Sequence, residues 1–264
     1  MKTMNKTSLA YDEQEKDLAI RIAAHKNYAS IKIENLIADF VCNKNRERVC
    51  DIGCGSGNYS SLLSKQAKIY VGVDINDELL RRARNTTIEA SNNNSIFMKW
   101  DMNDSFPFVD QSFDLVFSAF SAYYVNDALQ LVHRFHDLLN AAGNLCILGP
   151  APGNAFELDQ ISRIVFGKSA TNEKDARLNR IKNEFLPLTK KIFGGCVLKE
   201  FDISLVFPSV HEYSQYYMAT PQFKELLTEG GAPDKSTVVG AVGKLSSLRL
   251  TKKVLLLGAE RARV

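Results

Sequence analysis

The residues able to do chemistry gather in one short run, V-C-D-I-G-C-G-S-G-N-Y, starting at Val49. Gly53, Gly55 and Gly57 alternate along it, and glycine lets a backbone turn with positive φ and approach a ligand closely. An acid, Asp51, stands two residues ahead of the first glycine, and a second, Asp74, lies a short helix and a strand further on. A dinucleotide loop places its glycines as G-x-G-x-x-G; the position where the third would fall is Asn58. An acid about 20 residues past such a loop accepts from both hydroxyls of a ribose, which suits Asp74. Asp51 then decides between ligands. It repels a pyrophosphate, which seeks backbone N–H groups and the positive end of a helix, and it attracts a cation. The loop therefore favours S-adenosylmethionine (SAM), with its sulfonium and ammonium, over NAD.

Elements must hold these residues in place. Helical spacing of Leu18, Ile22, Ile33, Leu36, Ile37 and Phe40 predicts one or two helices over 12–41. An apolar strand at 48–52 leads into the loop, a helix follows from Tyr59 to Gln66, and I-Y-V-G-V-D at 69–74 reads as a buried parallel strand. Helix and strand then alternate: a helix from Asp77, strands at S-I-F-M-K-W-D and F-D-L-V-F-S-A-F, a helix at A-L-Q-L-V-H-R-F-H-D-L-L-N and a strand at L-C-I-L-G-P. Five strands joined by helices imply an α/β fold, a doubly wound, mostly parallel sheet of Rossmann-like type. After Pro150 the rhythm breaks into two helices over 154–195, the second kinked at Pro187, an alternating strand L-K-E-F-D-I-S-L-V-F and an aromatic helical stretch. The chain closes with the strand L-R-L-T-K-K-V-L-L-L-G-A-E-R. We expect one domain: a helical lid at 1–47, a cofactor core at 48–150, a mainly helical cap at 151–235 and a return to a seven-stranded sheet at 236–264.

These motifs together resemble the class I SAM-dependent methyltransferases. D-I-G-C-G-S-G at 51–57 is similar to the family's E/D-x-G-x-G-x-G. The resemblance runs on through V-G-V-D at 71–74, Trp100-Asp101-Met102, F-P-F-V-D-Q-S-F-D-L-V-F-S-A-F at 106–120 and A-A-G-N-L-C-I-L at 141–148. It is closest to the small-molecule branch that includes quinone-biosynthesis methyltransferases, and it covers about residues 48–150. One departure, A-A-G-N where the family usually has K-P-G-G, alters a turn and no binding contact. The resemblance implies that Asp51 lies near the methionine amine, with Gly53, Gly55 and Gly57 along the cofactor. It places Asp74 on the ribose hydroxyls, Ile75 on the adenine, Asp101 at the adenine amine beside Met102, and Ser118, Ala119 and Phe120 behind the methionine. Asp74 and Asp101 have a plainer alternative, capping the helices that follow.

Methyl transfer from a sulfonium is an in-line displacement, so positioning can supply much of the catalysis. A base is needed only where the acceptor loses a proton. Candidates for the acceptor side are Tyr11, His25 and Tyr28 in the leading helices, Tyr123 and Tyr124 after the fourth strand, and His211, Tyr213, Tyr216 and Tyr217 in the cap. His211 and Tyr124 are the candidate bases, although packing is the commoner use of such residues. Phe156, Ile164, Phe166, Phe185, Phe193 and Phe207 could line an apolar pocket or form the cap's own core. The expected reaction is methylation of an O, N or C atom of a small, fairly apolar metabolite, with S-adenosyl-L-homocysteine (SAH) as product.

Composition fits that reading. Of 264 residues, 45% are hydrophobic and 24% charged, with a formal net charge of +3, and no basic stripe argues for nucleic acid. RNA or protein methylation is further disfavoured because S-A-F-S stands where base-amine methyltransferases carry N-P-P-Y or D-P-P-Y. A nicotinamide oxidoreductase and a catalytically silent SAM-fold subunit remain as readings from other classes. Five cysteines without a C-x-x-C pair suit reduced thiols. His133 and His136 share a helix face but have no accompanying ligand pair, so no metal is expected. No secretory signal or membrane span is read, and the expected location is cytoplasmic.

Overall fold

The computed structural model describes residues 14–41, 46–89, 94–169 and 177–262. Seven strands form one sheet in the order β3-β2-β1-β4-β5-β7-β6. They are β1 Arg46–Ile52, β2 Ala67–Asp74, β3 Ser95–Lys99, β4 Phe113–Ala119, β5 Leu139–Pro150, β6 Val197–Val206 and β7 Arg249–Glu260. β1 to β5 run parallel, while β7 pairs antiparallel with both β5 and β6. From β1 the chain winds outward to β3, then restarts on the other side of β1 at β4. The reversal leaves a crevice at the carboxyl ends of β1 and β4, where ligands of open α/β sheets bind.

The strands read as apolar runs because both faces are covered. Along β5, Leu145 and Ile147 enter one core with Leu131, Val132 and Phe135, while Cys146 and Leu148 enter the other with Phe117 and Tyr70. The period of two along a strand produces this division. Helices α1 (Glu15–Tyr28) and α2 (Ile33–Val41) lead, and α3 (Ser60–Ser64), α4 (Asp77–Glu89) and α5 (Ala128–Leu138) connect the parallel strands. No helix among the described residues is long and apolar enough to cross a membrane.

Beyond Pro150 the structure departs from the simple cap. Helix α6 spans Glu157–Phe166. The expected kink at Pro187 takes the form of one π turn at Ile181–Phe185, after which the proline occupies the first turn of α7 (Leu186–Phe193). There its missing N–H costs no intrahelical bond. The strand of the cap is β6, which joins the main sheet at its edge. The aromatic stretch divides into α8 (Val210–Met218) and α9 (Pro221–Gly230), because Pro221 opens a new helix capped by the Thr220 hydroxyl. A further helix, α10 (Lys235–Gly243), precedes β7.

Candidate active site

The glycine loop leaves β1 at the crevice. Gly53 has φ +75°, and a Cβ there would overlap the Ser121 side chain, so the position admits only glycine. Its N–H, with that of Cys54, donates to Val73 O at 2.8 and 3.0 Å, tying the loop to the end of β2. Gly55 has φ +55° and open space where its Cβ would point. Ser118 and Ser121 hydroxyls both donate to Ile52 O, at 2.9 and 2.8 Å, and fasten the end of β4 to β1. Phe120 follows with φ +57°, an uncommon conformation for a bulky residue and one that clusters at functional sites.

Around this loop lies a cavity of about 540 Å3, within the usual size of small-molecule sites. One half is walled by the loop 51–59, Asp74 and Ile75 at the end of β2, Trp100 to Asn103, and Ala119 to Ser121. The other half is closed by α1, through Leu18, Arg21, Ile22 and His25, and by Tyr123, Tyr124, Asn154, Leu158, Arg177, Tyr216, Gln222 and Lys252. Two ion pairs hold α1 over the opening, Glu15 with Arg82 of α4 and Asp17 with Lys224 of α9.

Asp51 is 2% exposed. Its Oδ2 accepts from the Tyr70 hydroxyl at 2.8 Å, and Tyr70 in turn lies 2.7 Å from the Ser60 hydroxyl. Burial lifts the Asp51 carboxyl to about 7; the Tyr70 bond opposes that lift and the neighbouring Asp74 charge adds to it. Burial likewise raises Asp74, against three backbone N–H groups that favour its anion. Asp74 Oδ2 accepts from Gly55 N at 2.9 Å and Oδ1 from Asn76 N at 2.9 Å, so it braces the loop as well as facing the cavity. The cap of α4 is Asn76, whose Oδ1 accepts from Glu78 N and Leu79 N. Asp101 makes both of its bonds to Asn103 through Oδ1.

The structure thus brings Asp51, Gly53, Gly55, Asp74, Ile75, Asp101, Met102, Ala119 and Phe120 to one cavity. Gly57 and Ser118 do not line it. A Cβ at Gly57 would press on Ala83 of α4, so this glycine serves helix packing, and Ser118 is sealed beneath the loop. On the acceptor side His25, Tyr123, Tyr124 and Tyr216 line the cavity. His211 does not: it is exposed on α8 and its Nε2 pairs with Gln215. Tyr213 stacks on Phe207, Tyr28 packs on the same ring, and Tyr217 bonds Ser162 in the core, because the apolar face of α8 turns toward the sheet. Tyr11 lies outside the described residues. The apolar cap residues offered as lining are elsewhere: Phe166, Phe185, Phe193 and Phe207 pack in cores, and Phe156 and Ile164 are exposed. Tyr70 escaped notice in the sequence, although a hydroxyl within an otherwise apolar buried strand was the available signal.

Residues 50–147 match the family described as "Methyltransferase domain". The aklanonic acid methyltransferase of a Streptomyces strain is 31% identical over 39% of this chain and 48% of its own. A demethylmenaquinone methyltransferase of Tropheryma whipplei is 26% identical over 55% and 56%. The chain spans about half the length of these curated relatives. The solved YcgJ protein of Bacillus subtilis superposes with a TM-score of 0.58 at 15% identity, covering 88% of this chain and 98% of that one. The match to a methyltransferase domain therefore falls on segment 50–147, which holds the glycine loop, and the sheet around it shares the fold of the solved structure.

Proposed function

We propose that this protein transfers a methyl group from SAM to a small organic molecule bound in the half of the cavity under α1. One observation carries the cofactor assignment: a buried carboxylate, Asp51, faces the cavity beside a glycine loop, and the groups that act on it are the Tyr70 hydroxyl and the Asp74 carboxyl rather than a cation. A buried charge without a counter-ion is costly, and a ligand ammonium relieves that cost.

The other residues fit the same group. Gly55 offers a backbone surface with nothing above it. Asp74 accepts from Gly55 N through Oδ2 and from Asn76 N through Oδ1, and its carboxylate has further acceptor capacity for a ribose hydroxyl. Ile75 is 47% exposed within the cavity, an apolar face suited to an adenine ring. Asp101 Oδ2 stands opposite its bonded oxygen as an acceptor for the adenine amine, with Met102 alongside. SAM supplies an electrophilic methyl on a departing thioether. What remains to the chain is to orient the acceptor and exclude water, which Tyr123, Tyr124, Phe120 and the α1 wall can do. Of the two base candidates, only Tyr124 lines the cavity.

Calorimetry with SAM, SAH and NADH tests the cofactor. SAM and SAH should bind and NADH should not; binding of NADH without SAM overturns the assignment. A mass gain of one methylene in extract metabolites, dependent on protein and SAM, tests the transfer.

A further inference from the structure

The charges lining the cavity are segregated. Its acids, Glu34, Asp51, Asp74 and Asp101, all belong to the half with the glycine loop, where Glu34 acts on Tyr59 and Asp74 on Asp51. The opposite half carries Arg21, Arg177 and Lys252, with Lys26 at the rim. Arg21 and Lys252 both act on His25, Arg21 and Arg177 both act on Tyr123, and Arg21 also reaches Tyr216. Three cations from three separate segments thus converge on one place. No acid among the described lining residues belongs to that half.

Three nearby carboxylates that do not line the cavity already have partners. Glu225 faces Arg177 at 3.8 Å, Asp159 accepts from Gln222 Nε2 at 2.7 Å, and Glu157 accepts from the Thr251 N–H and hydroxyl. Burial first, and then the charges of Lys252 and Arg21, hold the His25 imidazole down to about 3. His25 is consequently neutral, and its Nδ1 is sealed from solvent without a hydrogen-bond partner. A polar atom left so is costly, and either ring nitrogen can carry the proton. Around these groups the wall is apolar: Leu18, Ile22, Leu158, Leu178 and Val254.

From this arrangement we infer that the acceptor half binds a small carboxylic acid as its anion, the carboxylate lying among Arg21, His25 and Lys252 and the apolar body against α1 and α6. The inference rests on the methyltransferase reading, since it names the substrate class of that same cavity. A carboxylate is also an acceptor or anchor that needs no deprotonation, which agrees with a cavity half that holds a neutral histidine and no acid.

The test uses the full chain saturated with SAH. Binding of phenylacetate, indole-3-acetate and octanoate is measured by calorimetry against the corresponding neutral amides. At least one acid should bind about ten-fold more tightly than its amide, a difference of about 1.4 kcal/mol. Arg21→Gln and Lys252→Gln should each cut that preference several-fold while the SAH affinity holds within about two-fold, because SAH occupies the acidic half. Equal binding of acids and amides, no acid binding at millimolar concentration, or a preference intact in both variants would overturn the inference. Failure of the wild-type chain to bind SAH would instead strike the methyltransferase reading itself.

Discussion

Asp51 makes a quantitative prediction that links stability to cofactor binding. Its carboxyl is moved from an ordinary 3.8 to about 7 by burial. At 1.36 kcal/mol per pH unit that displacement amounts to about 4 kcal/mol. The folded state holds the proton more tightly than the unfolded chain. Stability from this group is therefore fully present below pH 3.8, falls as pH rises, and is lost above about 7. Asp51→Asn removes the charge and keeps an oxygen for the Tyr70 hydroxyl. At about pH 8 the ligand-free variant should melt above the wild type by several degrees, at roughly 2–4 °C per kcal/mol for a chain of this size. SAM affinity should move the opposite way, falling by about 2–3 kcal/mol, or roughly 30–150-fold, for a lost charged hydrogen bond. In the wild type, SAM binding should weaken as pH drops below about 7, toward ten-fold per unit, because the ammonium needs the carboxylate. Differential scanning fluorimetry and calorimetry across that range read both effects. A variant that melts lower than the wild type at pH 8, or a SAM affinity flat through pH 7, would refute the reasoning.

Tyr70→Phe withdraws the hydroxyl that favours the Asp51 anion, so the pH midpoint of SAM binding should rise, measured by the same calorimetric series. Gly55→Ala should fold with a loss of about 1 kcal/mol for its left-handed backbone, yet weaken SAM about ten-fold by placing a methyl in the cavity. Gly57→Ala should do the reverse: its Cβ would come within 2.9 Å of the Ala83 Cβ, so the melting temperature falls while SAM affinity at low temperature is kept. His211→Ala should leave SAH production from a responsive extract within about two-fold, since a solvated surface residue away from the cavity has little leverage on rate.

The sequence was legible where the site is contiguous. β1, the loop, α3 and β2 follow each other without interruption, so Asp51, Gly53, Gly55 and Asp74 could be read as one unit and are found on one cavity. Where tertiary packing decides, local pattern misled. Ser118 and Gly57 sit among cofactor-facing neighbours but turn into the sheet and the α4 contact. The tyrosines of α8 look like a substrate wall in sequence, yet Tyr213 and Tyr217 are fully buried. Helix α10, K-S-T-V-V-G-A-V-G, is hidden by β-branched residues and glycines that disfavour helix; the Asp234 cap and the burial of Val238, Ala241 and Val242 override them. β6 read correctly as a strand, but nothing local says that its partner is β7, some 50 residues later.

The acceptor half could not have been read from spacing at all, because its charged groups come from α1, the segment at Arg177 and β7, and only the closed sheet makes them neighbours. That assembly gives the cavity a polarity along its length: buried acids where the loop turns, cations where α1 and β7 meet. A buried charge destabilises a fold unless a ligand answers it, and Asp51 illustrates that cost at the loop end. A cation in the loop half and an anion in the α1 half would also attract one another across the cavity, so binding of either should tighten binding of the other by the same factor. Measuring acid affinity with SAM and with SAH isolates this term, because only SAM carries the sulfonium charge; equal affinities would show that the two halves act independently.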